Sequence, residues 1–205
     1  NLKGAITSTV ELAQYANRDV TEAQARRLYE RAHDQVTLAL QPYGYYEPSV
    51  DGDIKQVGKD WQVTLHVKPG EPVKVTAVDV QLDKTAADIP AVRRAKRAVE
   101  RLKDQVLNDG AYDGARDSLS GALTATGFLD ARLVTHRVEV NRSEHSAVIK
   151  LAWEAGQRYR YGTVHFEGSQ FRQGFLDRYV PFKSGDYFDQ DQLLQLQQAL
   201  NGADY

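Results

Sequence analysis

The sequence contains 205 residues, enough for one large domain or for two to three small ones. Hydrophobic residues make up 41% and charged residues 26%, the formal net charge is −2, and cysteine is absent. These values exclude a disulfide scaffold and a thiolate metal site, and they give the chain no overall field that would recruit nucleic acid. No apolar run approaches the roughly 18 residues of a membrane-spanning helix, so we expect a soluble segment.

Two amphipathic helices are predicted before residue 43. The first carries three apolar residues spaced four apart: Leu2, Ile6 and Val10. In the second, from Thr21 to about Pro42, apolar residues recur every three or four positions. Thr21 and Gln24 have the spacing of a capping box, which predicts where this helix begins.

A short junction, GYYEPSV at 44–50, follows the second helix. Gly44 stands where a helix C-terminus favours a left-handed residue, because glycine has no Cβ to clash. Tyr45 and Tyr46 are predicted to pack onto the core where the chain reverses direction. Pro48 lacks an N–H group, so the strand that starts here is not expected to be central in its sheet.

A strand, a turn and a second strand come next, and the same pattern returns 86 residues later. Apolar residues alternate over 61–67, the turn KPGEP spans 68–72, and apolar positions continue over 73–82. The counterparts are strand 149–153, turn EAGQR at 154–158, and a strand over 159–166. In both copies the apolar phase slips by one residue, at 76–77 and at 162–163, which predicts a bulge or bend.

The junction recurs as well, as GFLDARL at 127–133 and in part as NGADY at 201–205. Helices are predicted near 88–105 and 113–126 in the second copy, and over Gln173–Val180 and Gln190–Asn201 in the third. The second junction should bury Phe128 and Leu129 as the first buries its tyrosines. The predicted junction residues are Gly44, Tyr45, Tyr46, Gly127, Phe128 and Gly202.

These repeats predict an α+β fold, a tandem array of three modules over 1–68, 72–155 and 158–205. Each module has the order β-α-α-β-β, with a three-stranded mixed sheet covered on one face by two helices. The first module lacks its opening strand, and the third stops before its last two strands. Because the chain opens at Asn1 and contains no methionine, we expect a trimmed piece that lacks its targeting signal.

No catalytic, cofactor or metal constellation is found in the sequence. The five histidines (His33, His66, His136, His145 and His165) share no ligand spacing, and there is no nucleophile elbow or phosphate loop. Asp51 and Asp53 lack the twelve-residue calcium pattern, so a hairpin turn is the better interpretation. We therefore predict a protein that is not an enzyme and has no cofactor.

Residues 92–103, VRRAKRAVERLK, form the strongest concentration of positive charge. Nucleic-acid binding would require interleaved aromatic residues or a basic chain, and neither is present. A solvated helix face is the first interpretation. Contact with anionic lipid headgroups or with an acidic partner remains open.

The strand edges that follow the junctions, Glu47–Ile54 and Asp130–Glu139, are the predicted docking sites for an extended partner. Arg132, Thr135 and Arg137 place charge or polarity along one face of the second edge, which is compatible with a blocked edge too. The candidate partner-binding residues are Val50, Ile54, Arg132, Val134, Thr135 and Val138.

The module order, with a glycine–aromatic junction before the second strand, resembles the POTRA domain. The resemblance covers nearly the whole chain and is most specific in VHFEGSQFRQGFLDRYVPFKSGDYF at 164–188, with support from residues 44–50 and from LLQLQQALNGADY at 193–205. These segments look like the periplasmic part of the TamA branch of the Omp85 family, the outer-membrane subunit of the translocation and assembly module.

The resemblance implies a periplasmic interaction arm on the inner side of the outer membrane, attached to a C-terminal membrane barrel. The implied partners are an inner-membrane-anchored TamB-like protein and nascent outer-membrane proteins, with no nucleic acid. The POTRA region of BamA or of a two-partner secretion transporter is the alternative within the family. A passive spacer and a soluble enzyme are the alternatives from other functional classes.

Overall fold

The protein has an α+β architecture, and the computed structural model describes residues 1–168 and 174–202. The helices are α1 Leu2–Thr9, α2 Glu11–Gln14, α3 Glu22–Leu40, α4 Lys84–Ala87, α5 Pro90–Glu100, α6 Asp109–Ala125 and α7 Gln190–Asn201. The strands are β1 Ser49–Val57, β2 Asp60–Lys68, β3 Lys74–Gln81, β4 Arg132–Asn141 and β5 Ser146–Glu154. Within the described ranges no helix combines the length and the apolarity needed to cross a membrane.

The chain divides into two compact units. The first unit comprises 1–78, 101–113 and 138–149, and the second comprises 79–100, 114–137 and the residues from 150 onward. Each of β3, β4 and β5 contributes one end to each unit. The three sequential modules at 1–68, 72–155 and 158–205 are a division by repeat, and their boundaries stay a prediction.

The first unit is built around α3. The Thr21 side chain accepts a hydrogen bond from the Gln24 N–H at 3.3 Å, which confirms the predicted cap. The helix ends at Leu40, and a 3-10 turn over Gln41–Tyr43 follows because Pro42 has no N–H to continue it. Four residues form the buried core: Val10, Ala32, Val36 and Leu40. Half-buried apolar residues pack against it: Leu2, Ile6, Leu12, Tyr45, Val50, Leu65 and Val67.

β1 and β2 form an antiparallel hairpin whose register runs from Ser49 opposite Lys68 to Val57 opposite Asp60. The predicted hairpin turn at Asp51–Asp53 is wrong, because both residues lie inside β1. The chain turns at Gly58 instead, whose φ of +66° is a backbone conformation that glycine adopts without strain.

The other sheet has the strand order β3-β5-β4, so β5 is central. β4 and β5 are joined by the short turn at 142–145 and are therefore antiparallel. β3 runs parallel to β5: the Lys74 N–H donates to the His145 carbonyl at 2.9 Å, and the Thr76 hydroxyl to the Ala147 carbonyl at 3.2 Å. The prediction of a mixed sheet is confirmed.

The predicted phase slip at 76–77 is visible in the burial of β3. Val75 is buried, Thr76 and Ala77 are both exposed, and Val78 is half-buried. The inward face of the strand therefore moves by one residue within a single strand.

One face of the central strand is buried. Its buried residues are Ala147, Ile149, Leu151 and Trp153. The buried residues of α5 and α6 are Val92, Ala95, Val99, Leu119 and Leu123. In the second unit the Trp153 Nε1–H donates to the Ser120 hydroxyl at 3.0 Å, which ties α6 to the sheet. Both helices occur where predicted, although α5 ends earlier, at Glu100, and α6 begins earlier, at Asp109.

The third copy departs from prediction. Residues 159–166 form no strand, only an isolated bridge between Arg160 and Tyr187. A strand needs a neighbour for its backbone groups, and the two strands that follow the junction in the earlier copies have no described counterpart here. In the predicted helix Gln173–Val180 the structure has a 3-10 turn over Leu176–Tyr179, and residue 173 lies outside the described residues. α7 matches its prediction.

Candidate functional site: glycine joints and a sheet edge

Gly44 is the centre of a backbone joint in the first unit. The Gly44 carbonyl accepts the Val73 N–H at 2.8 Å, and the Val73 carbonyl accepts the Leu107 N–H at 2.8 Å. A Cβ on Gly44 would lie 2.5 Å from the Leu107 carbonyl oxygen, and Gly44 also has a φ of +84°. Glycine is therefore required twice, for its left-handed backbone and for the close approach of another chain segment. We call Gly44, Val73 and Leu107 the first joint.

The same segment continues the pairing along β3. The Val75 N–H donates to the Gln105 carbonyl at 2.9 Å, and the Asp104 N–H donates to the Val75 carbonyl at 2.7 Å. Residues 104–107 thus cover the outer edge of β3 at its beginning. This part of the edge has no free backbone groups to offer a partner strand.

Gly127 is the centre of an equivalent joint in the second unit. The Gly127 carbonyl accepts the Tyr159 N–H at 2.8 Å, and the Tyr159 carbonyl accepts the Phe188 N–H at 3.0 Å. Gly127 has a φ of +102°, and a Cβ there would lie 3.1 Å from the Phe188 carbonyl oxygen. We call Gly127, Tyr159 and Phe188 the second joint.

The pairing beyond the second joint also repeats. The Tyr161 N–H donates to the Asp186 carbonyl at 2.9 Å, and the Gly185 N–H donates to the Tyr161 carbonyl at 2.8 Å. These bonds are the counterparts of those that Val75 makes. The repeat recognised in the sequence is therefore also a repeat of backbone hydrogen bonds.

The side chains around the two joints differ. Val73 and Leu107 are almost fully buried in the first joint. In the second, the Arg158 Nε–H donates to the Thr126 carbonyl at 2.7 Å, and the Arg158 guanidinium lies 4.2 Å from the ring centroid of Tyr187. The second joint thus adds a cation–π contact and a charged hydrogen bond to the shared backbone pattern.

The junction aromatics are buried to different extents. Phe128 is only 2% exposed, as predicted for a core residue, whereas Leu129 is 45% exposed and its predicted burial is wrong. Tyr45 is half-buried against the first core, and Tyr46 is half-buried with the Arg142 guanidinium 5.5 Å from its ring centroid. The second residue of the pair therefore differs between the two junctions: Leu129 is exposed, whereas Tyr46 is half-buried.

Gly202 differs from the other two junction glycines. It follows α7 with a φ of −87°, which is ordinary right-handed backbone. The remaining residues of the third junction, 203–205, lie outside the described residues. The structure therefore brings Gly44 and Gly127 into equivalent joints but gives Gly202 a different conformation.

Two acidic groups beside the first joint have raised pKa values. Burial raises the pKa of the Tyr46 hydroxyl, the carboxylate of Asp109 raises it further, and Arg142 partly offsets both. Burial and the nearby Asp113 raise the pKa of Asp109 itself. Both shifts disfavour the charged form in the folded protein.

β4 is the second part of the candidate site, because the strand order places it at an edge of the sheet. Four consecutive residues in its middle, Val134–Arg137, are exposed, and half-buried Leu133 and Val138 lie on either side. The inward phase therefore changes within β4, and both Arg132 and Arg137 are exposed.

The candidate partner-binding residues fall on two strands. Arg132, Val134, Thr135 and Val138 all lie on β4. Arg132 forms an exposed ion pair with Glu154 of β5, with Nη2 and Oε2 3.2 Å apart. The other two candidates, Val50 and Ile54, lie on β1 and are half-buried.

Because Val50 packs against the core of the first unit, its side chain has little surface left for a partner. Any docking along β1 would therefore rely on the backbone.

An open cavity of about 490 Å³ lies where β4 begins, and the sequence did not indicate it. Its lining residues are Leu129, Asp130, Ala131, Arg132, Glu154 and Gly156. Leu129 repeats the position of Tyr46 and was therefore expected to be buried, so no sequence signal pointed to this cavity. Among the described residues, no group of three or more His, Cys, Asp or Glu side chains could hold a metal ion.

In the described part of the chain, the order of a strand, two helices and a hairpin occurs in full once, as β3, α5, α6 and β4–β5, and the glycine joint occurs in both units. Residues 2–69 match the family model described as POTRA domain, TamA domain 1. Over residues 2–69 the chain is therefore similar to a POTRA domain of the TamA type, in agreement with the resemblance predicted from the sequence.

Several solved structures are similar to this chain over most of its length. BamA POTRA3-5 from Haemophilus influenzae is 14% identical, with 87% of this chain and 70% of that chain covered and a TM-score of 0.47. POTRA1-3 of the periplasmic domain of Omp85 from Anabaena is 15% identical, with 98% and 77% covered and a TM-score of 0.37. The N-terminal domain of Omp85 from Thermosynechococcus elongatus is 14% identical, with 98% and 79% covered and a TM-score of 0.40.

Proposed function

We propose that this chain is the periplasmic protein-interaction arm of an outer-membrane protein assembly or translocation factor, and that β4 binds extended segments of other chains by strand addition. The observation that carries the proposal is the position of β4 at the sheet edge, with Val134–Arg137 exposed. The POTRA match of residues 2–69 supports the assignment to such an arm.

Strand addition would use the backbone of β4 for affinity. An extended partner pairs with the outward N–H and C=O groups, while its alternate side chains are read by the surface beside the strand. The cavity at Leu129 and Arg132 would receive a side chain of the partner at the point where β4 begins. The exposed Arg132–Glu154 pair is weak enough to open for this contact, since such pairs contribute about 1 kcal/mol or less.

The proposed partners are an inner-membrane-anchored TamB-like protein and outer-membrane proteins in transit, with the chain's own membrane barrel beside them. The proposed activity is binding without catalysis. The other strands offer less open surface. Residues 104–107 already pair with the beginning of β3, and the side chain of Val50 on β1 packs against the core.

Two neighbouring proline substitutions test the proposal. In an antiparallel pair, N–H groups of successive residues point alternately towards and away from the partner strand. Of Val134→Pro and Thr135→Pro, one therefore removes a bond to β5 and lowers the melting temperature, while the other removes only an outward N–H. We expect the variant with the unchanged melting temperature to lose retention of the TamB-like periplasmic domain in a pull-down.

The same pair of variants separates binding from a passive spacer. If the folded variant retains the TamB-like domain and an unfolded outer-membrane protein as well as the unmodified chain does, strand addition at β4 is wrong. If neither probe is retained even by the unmodified chain, while its melting curve is normal, the spacer interpretation replaces the proposal.

A further inference from the structure

The exposed face of α5 is strongly basic. Four of its eleven residues are basic, Arg93, Arg94, Lys96 and Arg97, and only Glu100 is acidic. The chain as a whole has a net charge of −2, so the positive charge of this helix is a local property. We call Arg93, Arg94 and Arg97 the basic face.

Within residues 1–168 and 174–202, no acidic side chain pairs with the three arginines of the basic face. Lys96 pairs with Glu100 at 3.7 Å, so these two residues together add no net charge to the helix. Arg93 donates to the backbone carbonyl of Asp88 at 2.6 Å and keeps its charge. Among the described residues, neither Arg94 nor Arg97 forms an ion pair.

Helical geometry places the three arginines together and points them outward. At 100° per residue they occupy an arc of about 100°, on the side opposite the buried stripe. That stripe consists of Val92, Ala95 and Val99. Because the stripe is packed, α5 cannot rotate to hide its charges or insert apolar residues into a membrane, so any contact must be electrostatic.

We propose that the basic face of α5 binds the anionic phosphates of a phospholipid surface. Guanidinium groups bind phosphate oxygens in a bidentate geometry and keep their charge under all physiological conditions. A helix has no unpaired strand edge, so an extended peptide could not add to α5 by backbone pairing. The cavity at the start of β4 is lined by other residues, and none of the three arginines is among them. A continuous anionic surface, in contrast, needs only charge displayed at a fixed spacing.

This inference does not depend on strand addition at β4, since it uses other residues and another kind of contact. If both hold, the chain binds protein through β4 and lipid through α5. A variant of one surface should then leave the other activity unchanged.

Vesicle sedimentation tests the proposal with the whole chain. We expect binding to vesicles of phosphatidylglycerol and phosphatidylcholine, loss of binding in high salt, and no binding to phosphatidylcholine alone. Three basic residues contribute roughly fivefold each at an anionic surface, so R93Q/R94Q/R97Q should bind roughly a hundredfold more weakly. All three residues are exposed, and an unchanged melting temperature will show that the variant is folded.

A matched control lies on α3. R26Q/R27Q/R31Q removes the same charge, but Arg26 already pairs with Glu22 at 2.9 Å and Arg31 with Glu11 at 3.6 Å. We expect the control to change vesicle binding by less than about threefold. Equal losses in both triple variants would mean that only net charge matters, and would overturn the assignment to α5. Unchanged vesicle binding by the α5 variant would also overturn the assignment. If the chain bound polyglutamate through these arginines but did not bind vesicles, the partner would be an acidic protein and the lipid proposal would be wrong.

Discussion

The two joints share a backbone pattern and differ in their side chains. In both joints the glycine carbonyl accepts the N–H of the first residue of the next copy, Val73 or Tyr159. The carbonyl of that residue in turn accepts the N–H of Leu107 or Phe188, which lies just before a helix. The first joint is enclosed by Val73 and Leu107, whereas the second is flanked by Arg158 and the partly exposed Tyr187.

This difference separates what the repeat must keep from what it can vary. The backbone bonds and the glycine recur because they hold one copy against the next. The surrounding side chains vary because any group that fills or covers the same space is adequate. Three substitutions can break or sharpen this comparison.

Substituting alanine for the joint glycines should have the largest effect. Gly44→Ala is expected to lower the free energy of unfolding by about 2–4 kcal/mol, since it combines a left-handed backbone with a backbone oxygen 2.5 Å from the new Cβ. Gly127→Ala should cost about 1–2 kcal/mol, because its nearest backbone contact is 3.1 Å. Urea unfolding of both variants measures the difference.

Gly114→Ala is the control for these substitutions. Gly114 lies in α6, and a Cβ there would meet no atom within 4 Å. We expect a stabilisation of about 0.5–1 kcal/mol from helix propensity. If Gly44→Ala were as harmless as Gly114→Ala, the first joint would not be as closely packed as the structure indicates.

An intermediate effect is expected from Arg158→Gln at the second joint. The variant loses the hydrogen bond to the Thr126 carbonyl and the contact with the Tyr187 ring. We expect a loss of about 1–2 kcal/mol in the free energy of unfolding, measured by urea titration. The corresponding residue of the first joint is Pro72, which can make neither interaction.

Arg94→Gln serves as the comparison for Arg158→Gln, because it removes the same charge from an exposed position and should change stability by less than about 0.5 kcal/mol. Equal effects of the two variants would show that the side chains of the second joint add nothing to its backbone bonds.

The smallest expected effect is a pH dependence of the free energy of unfolding that Tyr46, beside the first joint, contributes. Its pKa is raised above the ordinary value of 10.0, so its neutral form is favoured in the folded protein. The associated stability is fully present below pH 10 and is lost as the pH rises through 10 and the folded-state pKa. Because the side chain is only half-buried, we expect about a few tenths of a kcal/mol.

Stability measured against pH from 8 to 12, with Tyr46→Phe as the reference, isolates this contribution. The unmodified chain should lose slightly more stability above pH 10 than the variant does. Parallel curves would contradict the assignment. At the position that corresponds to Tyr46, the second copy has Leu129, which does not titrate.

Several features could be predicted from sequence because they depend on neighbouring residues. The apolar spacing of α3, its cap at Thr21 and the alternation in β2 are local patterns, and the structure confirms them. The turn of the first hairpin was misplaced, because Asp51–Asp53 and Gly58 are both acceptable turn sequences, and only strand pairing selects between them. The strand over 159–166 was wrongly predicted for a similar reason: its apolar pattern is correct, but it has no neighbouring strand in the described residues.

The sequence by itself determined the α+β class, the positions of most helices and the repeated glycine junction, since these follow from periodicity and from backbone preferences of single residues. Only the tertiary structure decided what the junction is for. Gly44 and Gly127 are needed because segments distant in sequence, at Leu107 and Phe188, approach their Cα atoms. The burial of Phe128 beside an exposed Leu129, and the position of β4 at the sheet edge, were decided at the same level, because burial and edges depend on which segments pack together.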